Sequence, residues 1–386
     1  MNCEQSPLRI LLIAPYFGGS HRAWAEGYAH HSSHTVELMT LPARFWKWRI
    51  HGAAATLVEL LRRRTGPRPD LVLATDMVNL PALLGLARLE LTGVPVVLYC
   101  HENQLTYPLQ PGEKRDLAYP MINWLSMLAA DRVLFNSQFH RDSWFGALPN
   151  LLKDFPDCSH LPLIPGVRAK ARVMPVGVDL GALDREAPDG AMHGTSSCVG
   201  SSDDGDSPPL ILWNQRWEYD KNPAAFFRAL DELAARDLPF RVALAGSNVR
   251  QQLEEFEATR VRLGDRVVHF GRADRTTYRH LLWDADIVVS TAFHEFFGIA
   301  VVEAIYCRTF PVLPRRLAYP ELLHEEARAL CLYEDFEGLV AKLIWALTHP
   351  AAARETAERL ASSVARFDWS KMAPVYDAAM SDVAAS

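Results

Sequence analysis

Short runs of consecutive apolar residues recur along the chain, and each is followed by a stretch with the length and periodicity of a helix. Strands that are apolar on both faces are typical of parallel sheets covered by helices on both sides. The alternation therefore predicts an α/β protein with parallel sheets. The predicted strands cover residues 10–14, 71–74, 94–99 and 132–135 in the first half of the chain, and 210–213, 240–244, 267–270, 287–289 and 309–312 in the second.

A polar segment over 187–209 separates the two groups of strands. It is rich in Gly, Ser, Pro and Asp, a composition that buries too little apolar surface to fold. We therefore predict an N-terminal domain over 1–186 and a C-terminal domain over 210–386, joined by a flexible linker over 187–209. The last predicted helix could return to the N-terminal domain.

Composition excludes several classes of protein. A chain of 386 residues, 49% hydrophobic and 22% charged, can fill two cores, so wholesale disorder is excluded. The formal net charge of -6 argues against a surface that binds nucleic acid throughout. The charge is uneven, because 1–180 hold 18 basic and 15 acidic residues and 181–386 hold 22 and 31. A local contact with a polyanion is therefore expected in the first domain.

Cysteine spacing and hydropathy bear on the compartment. None of the six cysteines forms a C-x-x-C pair. No apolar run reaches the ~18 residues that indicate a membrane-spanning helix, and the run that begins at Ile10 is too short for one. We expect a cytoplasmic protein with reduced thiols and no membrane partner.

The most informative motif is 294–304, which follows a predicted strand. If a helix begins near Phe297, Gly298 lets an anion such as phosphate approach the N–H groups of its first turn. Glu295 and Glu303 then lie up to ~12 Å apart along the helix axis, which suits a sugar nucleotide. The alternative is an amphipathic helix with two solvated glutamates, which the apolar neighbours of Glu303 disfavour.

Arg216 and Lys221 lie in the turn that follows the predicted strand 210–213. Because ligands bind at the carboxyl ends of strands in open α/β sheets, the two cations are placed to meet a diphosphate. Two fixed cations can neutralise the charge that develops on a departing diphosphate, as a magnesium ion does elsewhere. The alternative is a set of surface ion pairs with Glu218 and Asp220.

Two strand ends in the first domain carry further candidates. Gly18 and Gly19 follow the first strand in a turn that resembles a phosphate-cradling loop without its complete fingerprint. His101 and Asn103 follow the third predicted strand, where Leu105 excludes the H-E-x-x-H zinc motif. His101 is either a polar anchor that faces a ligand or a structural histidine.

Cations and aromatic residues alternate in the segment 42–51, which contains Arg44, Trp46, Lys47, Trp48 and Arg49. Cations can contact phosphates and flat side chains can stack on unpaired bases, which is how single-stranded RNA is recognised. The alternative is a helix whose tryptophans pack in the core while the cationic stems lie along the surface. Further arginines would extend a basic patch, namely Arg62, Arg63, Arg64 and Arg68.

Together these features resemble the retaining glycosyltransferases of family 4, which have the GT-B fold. In that fold, two Rossmann-like domains with parallel sheets face a cleft. The resemblance rests on the E-x7-E pair of Glu295 and Glu303, and on Arg216 and Lys221 after the first strand of the second domain.

A closer resemblance covers nearly the whole chain outside the linker and concerns the tRNA-queuosine α-mannosyltransferase family. Members transfer mannose from GDP-mannose to queuosine in the anticodon of tRNA-Asp. The resemblance implies a retaining hexosyltransferase that binds GDP-mannose or another nucleotide sugar and a tRNA anticodon loop, without a metal ion or other cofactor. The matching segments are YFGGSH at 16–21, LPARFWKWR at 41–49, HENQLTYP at 101–108, FNSQFHRDS at 135–143, WNQRWEYDKNP at 213–223 and STAFHEFFGIAVVEAIYC at 290–307.

The resemblance also implies roles for individual residues. The catalytic residues would be His101, Arg216, Lys221 and Glu295, with His101 beside the transferred sugar. The donor-binding residues would be Gly18, Gly19, Arg216, Lys221, Gly246, Arg272, Phe297, Gly298, Ile299 and Glu303, with Glu303 on the ribose hydroxyls. The acceptor-binding residues would be Arg44, Trp46, Lys47, Trp48, Arg49 and Asn103. Retention without an enzymic nucleophile implies a front-face substitution, in which the acceptor hydroxyl attacks as the diphosphate leaves.

Two other functions stay open at this point. The chain could be a family 4 enzyme with a glycan or lipid acceptor, which predicts an apolar or basic amphipathic membrane-docking surface in the first domain. It could also be a non-catalytic binding protein with the GT-B fold. Such a protein would have no reason to combine Arg216, Lys221, Glu295 and Glu303.

Overall fold

The computed structural model of the chain describes residues 6–110, 112–154, 157–185, 207–247 and 253–386. Of the linker predicted over 187–209, only 207–209 lie within these residues. The chain divides into two compact units. One combines the residues up to Val178 with Trp369–Ser386, and the other is Asp179–Asp368.

The described residues form twelve β-strands and sixteen α-helices. The strands are β1 (Arg9–Phe17), β2 (Thr35–Pro42), β3 (Leu71–Thr75), β4 (Val96–Cys100), β5 (Arg132–Phe135), β6 (Ala171–Val173), β7 (Leu210–Trp213), β8 (Arg241–Ala245), β9 (Val267–Gly271), β10 (Ile287–Val289), β11 (Phe310–Pro314) and β12 (Leu332–Tyr333). The helices are α1 (Gly19–His31), α2 (Trp46–Arg63), α3 (Leu80–Leu86), α4 (Ala118–Ala129), α5 (Gln138–Lys153), α6 (Ile164–Lys170), α7 (Gly181–Arg185), α8 (Pro223–Ala235), α9 (Leu253–Leu263), α10 (Arg275–Asp284), α11 (Ile299–Tyr306), α12 (Tyr319–Leu322), α13 (Glu325–Cys331), α14 (Phe336–Thr348), α15 (Pro350–Val364) and α16 (Trp369–Ala384).

The first unit contains a six-stranded sheet in the order β2-β1-β3-β4-β5-β6, in which every neighbouring pair is parallel. β3 and β4 are buried along their whole length, which accounts for their unbroken apolar sequences. β2 lies at the edge and has exposed positions along its length, so no continuous apolar run marks it in the sequence. The predicted parallel sheet is confirmed, with β2 and β6 as additional strands.

The second unit contains a sheet in the order β12-β11-β10-β7-β8-β9, also parallel throughout. Counted from its own first strand, this is the 3-2-1-4-5-6 order of dinucleotide-binding folds, whereas the first unit has the flavodoxin-like order with one more strand. The strand order reverses between β1 and β3 in the first sheet and between β7 and β10 in the second. Ligands of open α/β sheets bind at the carboxyl ends of the strands at such a point.

Apolar side chains from strands and helices form the core of the first unit. Leu11 and Ile13 of β1 lie in one buried cluster with Leu57 of α2, Trp124 of α4 and Leu148 of α5. Removing one such side chain from water contributes roughly 1.5–3 kcal/mol, so the apolar runs fix where the strands lie. The strand ends, with their polar loops, are thereby held at one edge of the sheet.

Helix α16 belongs to the first unit, although it follows the whole second unit in the chain. The carboxylate of Asp377 on α16 accepts hydrogen bonds from the Tyr28 hydroxyl at 3.0 Å and the Ser32 hydroxyl at 2.6 Å. It also accepts from the amide and the hydroxyl of Ser33, both at 2.7 Å. The carboxylate of Asp377 thus connects α16 to α1 and to the turn after α1 through hydrogen bonds.

Within the described residues, no helix is both long and apolar enough to cross a membrane. The cysteines in this part of the chain are free thiols, namely Cys100, Cys158, Cys307 and Cys331.

Candidate active site

The carboxyl ends of β7 and β10 lie side by side where the order of the second sheet reverses. The turn after β7 carries Arg216 and Lys221, and the segment after β10 carries Glu295 and Gly298. The two motifs that stand out in the second half of the sequence therefore meet at one edge of one sheet. This is the position at which open α/β sheets bind ligands.

Lys221 is buried, and its ammonium group joins the two motifs. Its Nζ lies 3.1 Å from Oδ2 of Asp220 and 3.3 Å from Oε2 of Glu295. It also donates a hydrogen bond to the backbone oxygen of His294 at 2.9 Å. Because its side chain is only 6% exposed, Lys221 is not a member of a solvated surface ion pair.

The charges of Lys221 and Glu295 keep each other ionised. Burial by itself lowers the pKa of Lys221, but the carboxylates of Glu295 and Asp220 outweigh it and raise that pKa above its usual value. Burial by itself raises the pKa of Glu295, but the charge of Lys221 reverses the direction and leaves that pKa lowered. At neutral pH the sheet edge therefore holds a fixed ammonium group, which is suited to bind phosphate oxygens.

Arg216 lies at the surface of the same turn. Its side chain is 59% exposed, and its Nη1 lies 3.1 Å from Oε2 of Glu218. The sequence left open whether this motif forms surface ion pairs instead of a diphosphate site. Arg216 does form such a surface ion pair, whereas Lys221 is buried. Exposed pairs contribute little free energy, so Arg216 can exchange Glu218 for a more highly charged anion. Among the described residues, no group of three or more His, Cys, Asp and Glu side chains is placed to hold a metal ion.

Helix α11 begins at Ile299, slightly later than the predicted start near Phe297. Gly298 precedes it with a φ of 96°, in the left-handed region that favours glycine. The amide of Phe297 donates to Oε1 of Glu295 at 3.4 Å instead of entering the helix. The ring of Phe297 is buried edge-on against Phe367, so Phe297 can offer a ligand its backbone but not its ring.

Glu303 lies in the middle of α11 and takes part in a chain of hydrogen bonds. Its Oε2 accepts from the hydroxyl of Tyr278 at 2.8 Å. That hydroxyl accepts from Nδ2 of Asn214 at 3.2 Å, and the same Nδ2 donates to the backbone oxygen of Ala300 at 2.8 Å. Burial raises the pKa of Glu303 to about 7, against the opposing effects of the Tyr278 hydroxyl and the Arg275 charge. Glu303 is therefore not a solvated surface glutamate.

Sequence reasoning missed Tyr278 and gave Asn214 no role. Asn214 directly follows β7, so its position at a strand end was a usable signal. Tyr278 lies on α10, away from any strand end, and nothing local in the sequence distinguishes it from a packing residue.

Gly246 and Arg272 follow the ends of β8 and β9 at the same sheet edge. A Cβ atom at position 246 would lie 2.1 Å from the backbone oxygen of Gln215 and 2.7 Å from the ring of Trp217. Only glycine therefore fits against the turn that carries Arg216, so Gly246 shapes that turn. Arg272 is exposed and follows β9, which lies two strands away from β7 in the sheet. Its contact with the donor stays a prediction.

In the first unit, His101 follows β4 and is held by the two neighbouring strand ends. Its amide donates to Oδ1 of Asp76 at 2.9 Å, and its carbonyl oxygen accepts from Nδ2 of Asn136 at 2.8 Å. Its ring centroid lies 4.2 Å from that of His21 and 4.7 Å from that of Trp24. Since β1 and β3 flank the point of reversal, this group of rings occupies the ligand-binding position of the first sheet.

The ring of His101 is neutral at neutral pH. Burial, and then the nearby ring of His21, lower its pKa well below the usual value. Trp24, which packs against it, donates from Nε1 to the hydroxyl of Tyr376 on α16 at 3.0 Å. Among the described residues, Nε2 of His101 has no hydrogen-bond partner. A fixed, neutral imidazole with one unused nitrogen can hydrogen-bond an uncharged ligand group.

Gly18, Gly19 and Asn103 have clear roles in the fold of this edge. A Cβ atom on Gly18 would lie 2.5 Å from Cβ of Ala43, so glycine lets the turns after β1 and β2 touch. Gly19 opens α1, and open space surrounds its Cβ position. Asn103 has no exposed surface, and its Oδ1 accepts from the amide and hydroxyl of Thr106. The buried side chain of Asn103 thus stabilises the loop, and its contact with the acceptor stays a prediction.

The predicted RNA-contacting segment spans the end of β2 and the start of α2, and its aromatic residues divide into two groups. Trp46 is partly buried and packs against Tyr119, with ring centroids 5.1 Å apart, at the side of a small buried cluster, which is closer to the alternative interpretation. Trp48, by contrast, is 71% exposed. Its neighbour Phe45, which the sequence analysis did not single out, is 78% exposed.

The cations of this region also differ. Arg44 and Lys47 are exposed, whereas Arg49 donates to the backbone oxygen of Pro42 at 3.1 Å. Three of the four arginines expected to extend the basic patch are paired with carboxylates, so the extension of the patch stays a prediction. The ion pairs are Arg62 with Glu90 at 3.0 Å, Arg63 with Glu59 at 3.8 Å and Arg64 with Glu37 at 2.6 Å.

These sheets and this donor-side site define the class of protein. Residues 201–365 match the family described as glycosyl transferases group 1. The catalytic domain of starch synthase IV from Arabidopsis thaliana, bound to ADP and acarbose, is similar with a TM-score of 0.73 at 14% identity, over 99% of this chain and 100% of that chain. Anabaena HepE in complex with UDP is similar with a TM-score of 0.68 at 17% identity, over 97% and 100% of the two chains. The protein is a glycosyltransferase with the GT-B fold.

The first unit narrows this class to one family. Residues 9–178 match the N-terminal domain of tRNA-queuosine alpha-mannosyltransferase. The tRNA-queuosine alpha-mannosyltransferase of Drosophila melanogaster is 35% identical over 350 residues, which are 89% of this chain and 87% of the relative. The chain belongs to the tRNA-queuosine alpha-mannosyltransferase family, and the resemblance seen in its sequence motifs is confirmed.

Proposed function

We propose that this enzyme transfers mannose from GDP-mannose to queuosine in the anticodon of tRNA-Asp, in the cytoplasm, with retention at the anomeric carbon and without a metal ion. As a member of its family, the enzyme transfers mannose to queuosine in tRNA. The guanine nucleotide, the particular tRNA and the stereochemistry are the finer parts of the proposal, and they extend the sequence resemblance.

The buried Lys221 beside Glu295 and Gly298 carries the donor half of the proposal. A diphosphate at this sheet edge would meet the Lys221 ammonium group, the exposed guanidinium of Arg216 and the first-turn amides of α11. The helix dipole favours an anion at that turn. Fixed positive charge stabilises the diphosphate most as its bond to the sugar breaks, so these groups act on the transition state.

Glu303 supports the nucleotide part of the proposal. Its Oε2 accepts a hydrogen bond from the Tyr278 hydroxyl, and that hydroxyl accepts one from Asn214, which also donates to the backbone oxygen of Ala300 on α11. When it is ionised, such a carboxylate can accept hydrogen bonds from the two hydroxyls of a ribose. We propose that Glu303 binds the ribose in this way, as the resemblance implies.

In the proposed reaction, a hydroxyl oxygen of queuosine forms a bond to the anomeric carbon of mannose on the face from which the diphosphate leaves. The bond between that carbon and the diphosphate oxygen breaks, and its electron pair goes to the diphosphate. The hydroxyl proton passes to a diphosphate oxygen. Lys221 and Arg216 neutralise the leaving group, and the neutral ring of His101 hydrogen-bonds a sugar hydroxyl without adding charge.

Product analysis tests this proposal. The enzyme is incubated with GDP-mannose and queuosine-containing tRNA in the presence of EDTA, and the tRNA is digested to nucleosides. Mass spectrometry of the nucleosides from purified tRNA-Asp should detect hexosyl-queuosine, and an α-mannosidase should release the hexose. UDP-glucose and ADP-glucose as donors, and tRNA without queuosine, are the controls. Transfer from another donor only, or to glycan or lipid and not to tRNA, would refute the proposal.

A further inference from the structure

We infer that Phe45 and Trp48 form a stacking surface for unpaired bases of an RNA loop, and that Arg44 and Lys47 bind the phosphates beside those bases. These four residues are called the α2 platform below. The inference rests on the proposed function for the nature of the acceptor, a loop of tRNA. It goes beyond that proposal by assigning Phe45 and by separating Trp48 from Trp46.

Exposure is the first argument. Phe45 and Trp48 are the two most exposed Phe or Trp side chains in the described residues. The amide of Trp48 donates to the backbone oxygen of Phe45 at 2.8 Å, so the two exposed residues lie within one turn of each other at the start of α2. Two large aromatic side chains exposed to water so close together in the chain are typical of a binding surface.

The surroundings of Trp48 leave its ring uncovered. A Cβ atom on Gly52, one turn further along α2, would lie 3.8 Å from Cε2 of Trp48. The indole therefore lies along the helix beside a residue that has no side chain to cover it. Trp46 is the tryptophan of α2 that packs against Tyr119, whereas Trp48, at 71% exposed, contributes little to the core of the unit.

Charge is the second argument. Residues 41–58 contain no Asp or Glu, and within the described residues neither Arg44 nor Lys47 forms an ion pair. Arg62 and Arg64, further along the same region, are both paired with carboxylates. The unpaired cations thus coincide with the exposed aromatic side chains. This combination suits a polyanion with free base faces, since single-stranded RNA is bound by cations along its backbone and aromatic stacking on its bases.

Position is the third argument. The α2 platform follows the carboxyl end of β2, and Ala43 touches Gly18 in the turn after β1. Trp46 belongs to one cluster with Tyr16, whose ring lies 5.7 Å from that of His21. His21 in turn contacts His101. The α2 platform therefore begins at the edge of the first sheet that also carries His101, within the same unit.

The test uses a synthetic, unmodified anticodon stem–loop RNA without any sugar donor. Its affinity for the full-length enzyme is measured by fluorescence anisotropy at several salt concentrations. Phe45→Gly and Trp48→Ala should each weaken binding roughly 5- to 100-fold at one salt concentration, as loss of one base stack does. Lys47→Ala should also reduce the slope of log affinity against log salt by about 0.7, the share of one phosphate contact on a single strand.

Three comparisons keep the inference falsifiable. Phe45 has a φ of 53°, which glycine adopts without strain, so Phe45→Gly should lose RNA affinity while the thermal midpoint stays the same or rises. Trp48→Phe should retain most of the affinity. Leu89→Ala removes an equally exposed apolar side chain of the same unit and should bind as the wild type does.

Several results would overturn the inference. The first is that Phe45→Gly and Trp48→Ala bind the stem–loop with wild-type affinity. The second is that both variants lose as much affinity for a blunt RNA duplex as for the stem–loop. The third is that they lose affinity for vesicles of anionic phospholipid and not for RNA. Because no donor is present, the outcome is independent of catalysis. If hexosyl-queuosine never forms but the variants still lose stem–loop affinity, the proposed function fails and the α2 platform stands.

Discussion

Nζ of Lys221 and Oε2 of Glu295 lie 3.3 Å apart, although 74 positions separate the two residues in the chain. The contact joins the turn after β7 to the segment after β10. It also means that the cation proposed to meet the diphosphate is oriented by the first glutamate of the E-x7-E motif. The side chain of Arg216 is by contrast 59% exposed, so the two cations should respond differently to substitution.

Arg216→Ala should slow turnover and leave stability unchanged, because the side chain is exposed and only its charge is lost. The expected cost is about 2–4 kcal/mol in the activation barrier, or roughly 30- to 1000-fold in rate. Lys221→Ala should slow turnover as well and should also destabilise the fold by about 3–5 kcal/mol, because it leaves two carboxylates without their buried partner. Initial rates and urea denaturation measure the two effects. Equal losses of stability in Arg216→Ala and Lys221→Ala would contradict the proposed difference between the exposed and the buried cation.

Glu303→Gln should change how stability depends on pH. The pKa of Glu303 is about 7 in the folded chain and near its ordinary 4.5 when unfolded. The folded state therefore holds a proton that the unfolded state has lost, and wild-type stability should fall as pH rises from about 4.5 to 7, by at most about 3 kcal/mol. Glu303→Gln should lack this component. Urea denaturation across that range measures it, and parallel profiles for the two proteins would refute the assignment.

Tyr278→Phe tests the same carboxylate through donor binding. The Tyr278 hydroxyl opposes the rise in the pKa of Glu303, so its removal should raise that pKa further. If ionised Glu303 binds the ribose, donor affinity should increase through neutral pH in the wild type and at higher pH in Tyr278→Phe. Calorimetric titration with GDP at a series of pH values gives the midpoint of the affinity change for the wild type and for Tyr278→Phe. A variant that loses affinity equally at every pH would indicate a merely structural role for Tyr278.

Gly246→Ala should displace the turn that carries Arg216, because the added methyl group would lie 2.1 Å from the backbone oxygen of Gln215. We expect a loss of about 1–3 kcal/mol in stability, typical of overpacking, together with slower turnover. Gly85→Ala on α3 is the matched control, since nothing lies within 4 Å of its Cβ position. That variant should be at least as stable as the wild type.

Asp377→Ala should loosen α16 and destabilise the first unit by about 2 kcal/mol or more, because it leaves the Ser33 amide and the Tyr28 hydroxyl without their acceptor. Burial alone would raise the pKa of Asp377, but hydrogen bonds from Ser32, Ser33 and Tyr28 leave it lowered. This contribution to stability should therefore be present at neutral pH and disappear as pH falls below the ordinary aspartate range. Asp382→Ala, exposed on the same helix, is the control.

Residues at strand ends were predictable, because an apolar run fixes the strand and the next polar residues must lie at its carboxyl edge. Lys221, Glu295 and His101 are of this kind. Tyr278 is not, since a helix residue reaches the site only through the packing of α10, which no local pattern encodes. β2 escaped prediction because an edge strand needs no continuous apolar run.

The two tryptophans of α2 show a different limit. Trp46 and Trp48 are two positions apart, and in a helix such side chains point in directions ~200° apart, so one of them must face away from the core. Which one does so depends on where the helix begins. Phe45, with its left-handed backbone, sets that start, and a non-glycine residue in this conformation could not be foreseen from the sequence.

Helix α16 makes the order of folding differ from the order of synthesis. Trp24 and Tyr28 of α1 are buried in part by α16, which leaves the ribosome only after the whole second unit. The second unit can therefore complete its core first, while Trp24 and Tyr28 of the N-terminal unit stay exposed to solvent until α16 is synthesised. A nascent chain stalled within residues 179–368 would expose this surface to chaperones and proteases.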